Sequence, residues 1–401
     1  MAAWLPLIGG LALLVLGGEL LVRGAVQVAS RLGVSPLVIG LTLVGFGTST
    51  PELVTSVQAA LRASPGIAYG NIVGSNLANT MLILGISALL APIAISSRTL
   101  LRDGGVMLLV TAVFAALAAV TIMGVVVGVL FIFALISYIF IAFRQESASA
   151  PEHGAIYDKT IAAQHADPAL VPADRSSRAL VSSLLIAIAG LALVVIGGHF
   201  LVAGAVSLAR AFGISETIIG LTIVAVGTST PELVTSVVAA VRKEADVAFG
   251  NVVGSNIYNI LGIGGVTALV APVRVPDEIV RFDNWVLLGM STLVVALAYT
   301  SRRITRWEGG LLIAGYVAYV VVLWPTAEPP DAGRAKQAHG ALVRSSGAHW
   351  TPAHLAMSIN GCPIVGSSCR LMDVQTLARS LARPRYHSRI RSRDQARASR
   401  S

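Results

Sequence analysis

The eleven residues GTSTPELVTSV occupy positions 47–57, and the same eleven letters return at 227–237. Each copy places a glutamate directly after a proline within an apolar segment, in a chain with only 12% charged residues. The similarity continues outward at a constant offset of 180, since GNIVGSNLAN at 70–79 matches GNVVGSNIYN at 250–259. We therefore interpret the chain as two copies of one structural unit.

The composition places most of the chain in a lipid bilayer. Hydrophobic residues make up 55% of the 401 residues, and the mean hydropathy is +0.78. Soluble domains carry roughly 25% charged residues, twice the fraction here. Long apolar runs at 106–143 and 311–323 are typical of membrane-spanning helices. The sequence thus predicts an all-α polytopic membrane protein.

Each copy contains five apolar segments, so we predict ten transmembrane helices. They fall near 4–29, 36–62, 67–90, 104–122 and 124–143, then near 180–209, 216–241, 247–270, 284–300 and 308–324. The predicted domains are a first five-helix repeat (1–143), a polar linker (144–178), a second repeat (179–325) and a basic tail (326–401). Because five is odd, the second repeat must enter the membrane from the opposite side. Such inverted repeats are typical of secondary transporters.

Loop charges predict the orientation. With alternating helices, one side of the membrane carries 13 basic residues and the other carries 4, the tail apart. The positive-inside rule then makes the linker cytoplasmic and both termini external, in the inner (plasma) membrane. From 331 to 401 there are 12 basic and 3 acidic residues without apolar periodicity. We expect a solvated, disordered tail that binds no nucleic acid, and a long tail weakens the charge rule.

The repeated stretch predicts a cation site. Pro51 lacks an N–H group and disrupts the preceding helical turn, which exposes backbone carbonyls. At membrane depth such groups are tolerated only inside protein or along a wet cavity. Glu52 follows the break, and Thr48 and Ser49 precede it by four and three positions, on the same helical face. The second copy offers the same set: Thr228, Ser229, Pro231 and Glu232.

The second motif predicts the opposing wall of that site. Ser75 and Asn79 are four positions apart on one helical face, and Gly70 and Gly74 allow a close helix approach. Ser255 and Asn259 repeat this arrangement in the other copy. Intramembrane Ser, Thr and Asn also serve simply to join helices, whereas an intramembrane glutamate indicates function.

An all-oxygen site with two carboxylates suits Ca²⁺, which accepts about 6–8 oxygen ligands in flexible geometry. The two glutamates neutralise one divalent ion. Without an ion, the buried charges make the site costly to move, whereas an ion-loaded site can face either side in turn. The residues therefore predict an exchanger of Ca²⁺.

These motifs resemble those of the cation/calcium exchanger superfamily, specifically its prokaryotic sodium/calcium exchanger branch, over residues 1–324. The resemblance implies two inverted five-helix bundles, sodium-driven calcium transport, and sliding of helices 1 and 6 across a rigid core. It also implies that Glu52 and Glu232 are the central calcium ligands. The further ligands it implies are Thr48, Ser49, Ser75, Asn79, Thr228, Ser229, Ser255 and Asn259, with the backbone carbonyl of Ala225.

The residues are compatible with more than one coupling ion. Family members often carry an aspartate where this chain has Asn259, and the acidic residue is linked to potassium in potassium-dependent relatives, so the amide disfavours potassium transport. Proton-coupled Ca²⁺ exchange on the same fold is a further alternative, and a passive cation channel a distant one. An intramembrane hydrolase would need an asymmetric nucleophile and base, so we expect no enzyme. We also expect no cofactor besides the transported Na⁺ and Ca²⁺, and no obligate protein partner.

Overall fold

The computed structural model describes residues 4–32, 45–95, 99–147, 159, 161, 164, 178–242 and 245–324. The first repeat consists of α1 (Trp4–Arg31), α2 (Gly45–Gly47 and Thr50–Leu61), α3 (Pro65–Leu90), α4 (Leu100–Val120) and α5 (Val125–Ser147). The second consists of α6 (Arg178–Phe212), α7 (Glu216–Thr228 and Thr230–Val241), α8 (Ala245–Ile257, Tyr258–Ile263 and Gly264–Val270), α9 (Ile279–Ser301) and α10 (Arg306–Leu323).

The helices match the predicted membrane spans. Within the described ranges, eight helices are long and apolar enough to cross a membrane, and the bent α7 makes nine. The tenth span is α2, whose predicted first residues fall in the undescribed range 33–44. The all-α prediction of ten helices in two repeats is confirmed. The predicted tail lies outside the described residues, as does nearly all of the linker, so these domain assignments stay predictions.

Contacts between α1 and α6 show that the repeats are inverted. A methyl group at Gly204 would collide with the backbone of Leu7, and one at Gly190 with the backbone of Leu21. Residue numbers therefore rise along α1 as they fall along α6, so the two equivalent helices are antiparallel. The close approach depends on glycine, since any side chain at these positions would separate the helices.

The centre of the molecule is formed by α3 and α8. In these helices 83% and 89% of the membrane-spanning window is buried, against 22% in α6. Helix α3 packs in parallel against α7: a methyl group at Gly66 would lie 2.8 Å from the Thr217 nitrogen, and one at Gly74 would lie 2.8 Å from the Ala225 Cβ. Gly66 and Gly74, the second of which belongs to the repeated motif, thus bring the two repeats together.

Both central helices contain a π-helical segment at the same repeat position. These segments are Ala78–Ile83 in α3 and Tyr258–Ile263 in α8. A π turn holds one more residue than an α turn, so it rotates the side chains that follow, and such segments are frequent at functional sites. Asn79 and Asn259 lie within them.

Short backbone pairings join the two repeats at their loops. Strand β1 (Ile93–Ala94) pairs antiparallel with β2 (Arg303–Ile304), and Met123 pairs with Val273. With alternating helices, the loops after α3 and α9 lie on one side of the membrane, and those after α4 and α8 lie on the other. Each pairing therefore joins loops that the predicted topology places on the same side.

Candidate functional site

The repeated stretches break both helices where the sequence predicts. Helix α7 bends by 48° between Thr228 and Thr230, and α2 is interrupted at Thr48 and Ser49. Proline occupies the first turn of each new half-helix, where its missing N–H costs nothing. Each glutamate also lies in this first turn, where the helix dipole stabilises negative charge.

The two glutamates share one site because each is bound by a serine of the opposite repeat. The Ser49 hydroxyl donates to Glu232 Oε1 at 3.0 Å, and the Ser229 hydroxyl donates to Glu52 Oε1 at 3.0 Å. Both carboxylates are 1% exposed. Thr48, which is half-buried, also lies beside Glu232. These two reciprocal hydrogen bonds connect the half-helices of α2 and α7 and enclose the site between them.

Several predicted ligands present buried oxygens that have no hydrogen-bond partner among the described residues. These are Glu52 Oε2, Glu232 Oε2, Thr48 Oγ1, Ser75 Oγ, Asn79 Oδ1 and Asn259 Oδ1. Buried polar atoms in folded proteins are almost always paired, so such a group requires an explanation. A cation would satisfy these oxygens, because metal ions of the hard type are held by carboxylate, amide and hydroxyl oxygens.

The asparagines of the π-helical segments are oriented across the repeat boundary. Asn79 Nδ2 donates to Asn256 Oδ1 at 3.1 Å, and Asn259 Nδ2 donates to Asn76 Oδ1 at 3.3 Å. The amide nitrogens are thereby used between α3 and α8, and not on the carboxylates. Each oxygen is left available at a fixed position. Asn76 and Asn256 were absent from the predicted site.

Two further asparagines hold the half-helices in place. Asn71 Nδ2 donates to the Glu52 carbonyl at 3.1 Å and to Ser56 Oγ at 2.9 Å. Asn251 Nδ2 donates to the Glu232 carbonyl at 3.3 Å and to Ser236 Oγ at 2.7 Å. Sequence reasoning missed them, although their shared position after glycine in both copies of the motif is a signal for this role.

Thr228 and Ala225 use their oxygens within α7 and toward α3. The Thr228 hydroxyl lies 3.0 Å from Asn71 Oδ1 and 3.1 Å from the Val224 carbonyl. The Ala225 carbonyl accepts from the Ser229 amide at 3.0 Å. In this conformation Thr228 orients Asn71. The roles of Thr228 and Ala225 as ion ligands stay predictions.

The remaining predicted ligand, Ser255, contacts a residue that was not predicted. Lys159 Nζ donates to Ser255 Oγ at 2.6 Å and to Ser49 Oγ at 3.0 Å, and it lies 3.7 Å from Glu232 Oε1. The side chain is fully buried, and its ammonium group lies 5.4 Å from the centre of the Tyr258 ring. A lysine of the predicted linker thus lies in the predicted cation site.

Comparisons with known proteins find relatives and solved structures that match most of the chain. The chain is 36% identical over 344 residues to the sodium/calcium exchanger MaX1 of Methanosarcina acetivorans, which covers 80% of this chain and 98% of that protein. It is 32% identical to the inner membrane protein YrbG of Escherichia coli, covering 79% of this chain and 95% of that protein. The solved structure of the sodium-calcium exchanger NCX_Mj matches with a TM-score of 0.53 and 32% identity, covering 80% of this chain and 98% of that one.

A family model described as sodium/calcium exchanger protein matches residues 2–144 and 182–324. These two blocks correspond to the two inverted repeats and leave out the linker between α5 and α6. The motifs, the inverted fold and this match together show that the chain belongs to the sodium/calcium exchanger family.

Proposed function

We propose that this protein is a secondary active antiporter that exchanges Na⁺ for Ca²⁺ across the membrane. The observation that supports it most is the pair of buried glutamates, one from each inverted repeat, held in one site by serines of the opposite repeat. A site made of both repeats, halfway along broken helices, is what alternating access requires.

The charges of the site suit competition between the two ions. Two carboxylates are balanced by one Ca²⁺ or by two Na⁺, so either cargo neutralises Glu52 and Glu232. Both residues keep one unpaired oxygen, Oε2, for an ion. Since an unbalanced charge in the membrane is costly, the site changes sides when loaded and resists the change when empty. This rule converts a sodium gradient into calcium transport.

Helices α1 and α6 provide the moving part in this proposal. They pack on each other through glycine backbones and are largely exposed, whereas α3 and α8 are buried. A sliding pair of helices opens the site to one side and then the other, while the ligands on α2, α3, α7 and α8 stay in place.

We further propose that the protein lies in the inner (plasma) membrane with the linker in the cytoplasm and both termini outside. The excess of basic residues in the loops on the linker side supports this orientation. The transport cycle requires no cofactor besides the ions, no enzymatic step and no protein partner.

The test is Ca²⁺ uptake into proteoliposomes loaded with Na⁺ and diluted into Na⁺-free medium. We expect uptake that depends on the outward Na⁺ gradient and needs neither K⁺ nor a proton gradient. A requirement for K⁺ would assign a potassium-dependent exchanger despite Asn259. Uptake that ignores Na⁺ and follows protons would keep the site but replace the coupling ion. Uptake driven by Ca²⁺ alone would indicate a channel.

A further inference from the structure

We propose that Lys159 is a tethered cation that occupies the transport site and competes with Ca²⁺. The proposal rests on the proposed function, since it assigns a competitor to the same site. The geometry is that of an ion bound by oxygens: the ammonium group contacts Ser255, Ser49 and Glu232, which come from α8, α2 and α7 respectively. Two of these contacts are made to hydroxyls that were predicted from the sequence as ion ligands.

Burial of the ammonium group follows from the charges around it. A lone buried ammonium is strongly disfavoured, so it persists only with a counter-charge and with oxygens for its protons. Lys159 has both, together with the face of the Tyr258 ring, which attracts cations. The residues that bind the lysine are thus the kind that bind a transported cation.

The charge balance makes the competition selective. With Lys159 in place, one positive charge offsets two carboxylates, and a single negative charge remains. One Na⁺ neutralises this remaining charge, whereas one Ca²⁺ would leave a net positive charge. The unpaired oxygens Glu52 Oε2 and Ser75 Oγ stay available in this state. Lys159 therefore disfavours Ca²⁺ more than Na⁺, and Ca²⁺ must displace it.

The chain is long enough for Lys159 to leave and return. It lies twelve positions after Ser147, the last residue of α5. Such a stretch spans at most about 40 Å, whereas the midplane lies about 15 Å from either surface of the hydrocarbon core. Ile161, two positions further on, packs against the main hydrophobic core. Ile161 thus makes a second contact with the membrane domain, beside that of Lys159.

The first experiment maps amine labelling of the purified wild-type protein. The chain has three lysines, Lys159, Lys243 and Lys336, so each can be quantified separately by mass spectrometry. Without Ca²⁺ we expect Lys159 to be protected. Saturating Ca²⁺ should raise its labelling about tenfold or more, with Lys243 and Lys336 as internal references that do not change. Equal labelling of Lys159 with and without Ca²⁺ would overturn the proposal.

The second experiment measures Ca²⁺ uptake by Lys159→Gln, with Arg144→Gln as the matched control. Arg144 lies near the end of α5, where it contacts the Phe140 ring, so its loss removes the same charge outside the site. We expect Lys159→Gln to lower the Ca²⁺ concentration for half-maximal uptake about tenfold, with a smaller change for Na⁺. The control should match the wild type.

The two experiments separate this proposal from the proposed function. If the wild-type protein shows no Na⁺-driven Ca²⁺ uptake, the antiport assignment fails, while the labelling still reports whether Ca²⁺ releases Lys159. If uptake is present but its Ca²⁺ dependence is the same in Lys159→Gln and in the wild type, only the competition fails. Labelling needs no variant, so a misfolded Lys159→Gln would not remove the test.

Discussion

The two halves of the site contain the same residues in different surroundings. On the Glu52 side, Ser229 donates to the carboxylate, and Thr228 fixes Asn71 by a hydrogen bond to its side-chain oxygen. On the Glu232 side, the equivalent oxygen of Asn251 has no hydrogen-bond partner in the part of the chain that the structure describes. Lys159 pairs directly with Glu232, at 3.7 Å, and among the described residues its contact on the Glu52 side is made to the Ser49 hydroxyl.

This difference shows how a site built from two equivalent repeats can face one side of the membrane at a time. Two identical halves in identical conformations would face both sides of the membrane equally, so an inverted-repeat transporter must hold its halves in different states at any moment. Here the two helix breaks share one sequence but not one set of hydrogen bonds. The linker lysine, which has no counterpart in the other half, adds a further asymmetry.

The largest effect should come from removing either carboxylate. Glu52→Gln and Glu232→Gln should each lower exchange by more than about 100-fold, since even an outer partner of a metal ligand is worth roughly 10- to 100-fold. Each variant leaves an unbalanced charge on the ion-loaded site. The measurement is Na⁺-driven Ca²⁺ uptake at saturating Ca²⁺.

The matched control is Glu278→Gln, which removes an exposed glutamate before α9 and should transport normally. If one of the two site variants kept normal calcium flux while the other lost it, the shared site would be wrong. Only one half of the site, on one repeat, would then serve in ion transport.

A smaller effect should follow from loosening the half-helices. Asn71→Ala and Asn251→Ala remove the hydrogen bonds to the carbonyls of Glu52 and Glu232, so the carboxylates lose their fixed position. We expect the Ca²⁺ concentration for half-maximal uptake to rise roughly 10- to 100-fold. Asn71→Ala should have the larger effect because it also loses the hydrogen bond from Thr228 of the opposite repeat, whereas the third partner of Asn251, Thr235, belongs to its own repeat.

The control for this pair is Asn284→Ala, which removes a buried asparagine of α9 whose side chain makes no hydrogen bond in the described structure. An effect of Asn284→Ala equal to that of Asn71→Ala would mean that any buried asparagine matters equally. The positioning role would then be withdrawn.

The smallest effect should distinguish the serines. Ser229→Ala removes the hydrogen bond to Glu52 and should raise the half-maximal Ca²⁺ concentration about tenfold. Ser49→Ala should raise it less, because it also removes a contact of the competing Lys159. In a Lys159→Gln background the two serine variants should become equal. A difference that persists there would place the asymmetry elsewhere than in Lys159.

The sequence predicts the helices and the helix breaks because their causes are local. A membrane helix follows from some twenty apolar residues, and the break at Pro51 follows from a missing N–H group. The internal repeat adds long-range information, since an odd number of helices forces inversion. The glutamates could be assigned to one site because buried carboxylates in a membrane need partners.

The contacts across the repeat boundary could not be predicted in the same way. The π-helical segments depend on packing between α3 and α8 and leave no pattern in composition. The pairing of Asn79 with Asn256 depends on those segments, because they rotate the side chains. Lys159 lies among polar linker residues, and nothing in its neighbourhood distinguishes it from a solvated lysine.

The π-helical segments also bear on the history of the molecule. Each represents one residue inserted into an α-helix, and a later insertion in one copy would have shifted the alignment of the repeats. Yet Ala78–Ile83 and Tyr258–Ile263 stand at the same constant offset as the motifs before them. The insertion therefore belongs to the ancestral unit and predates its duplication.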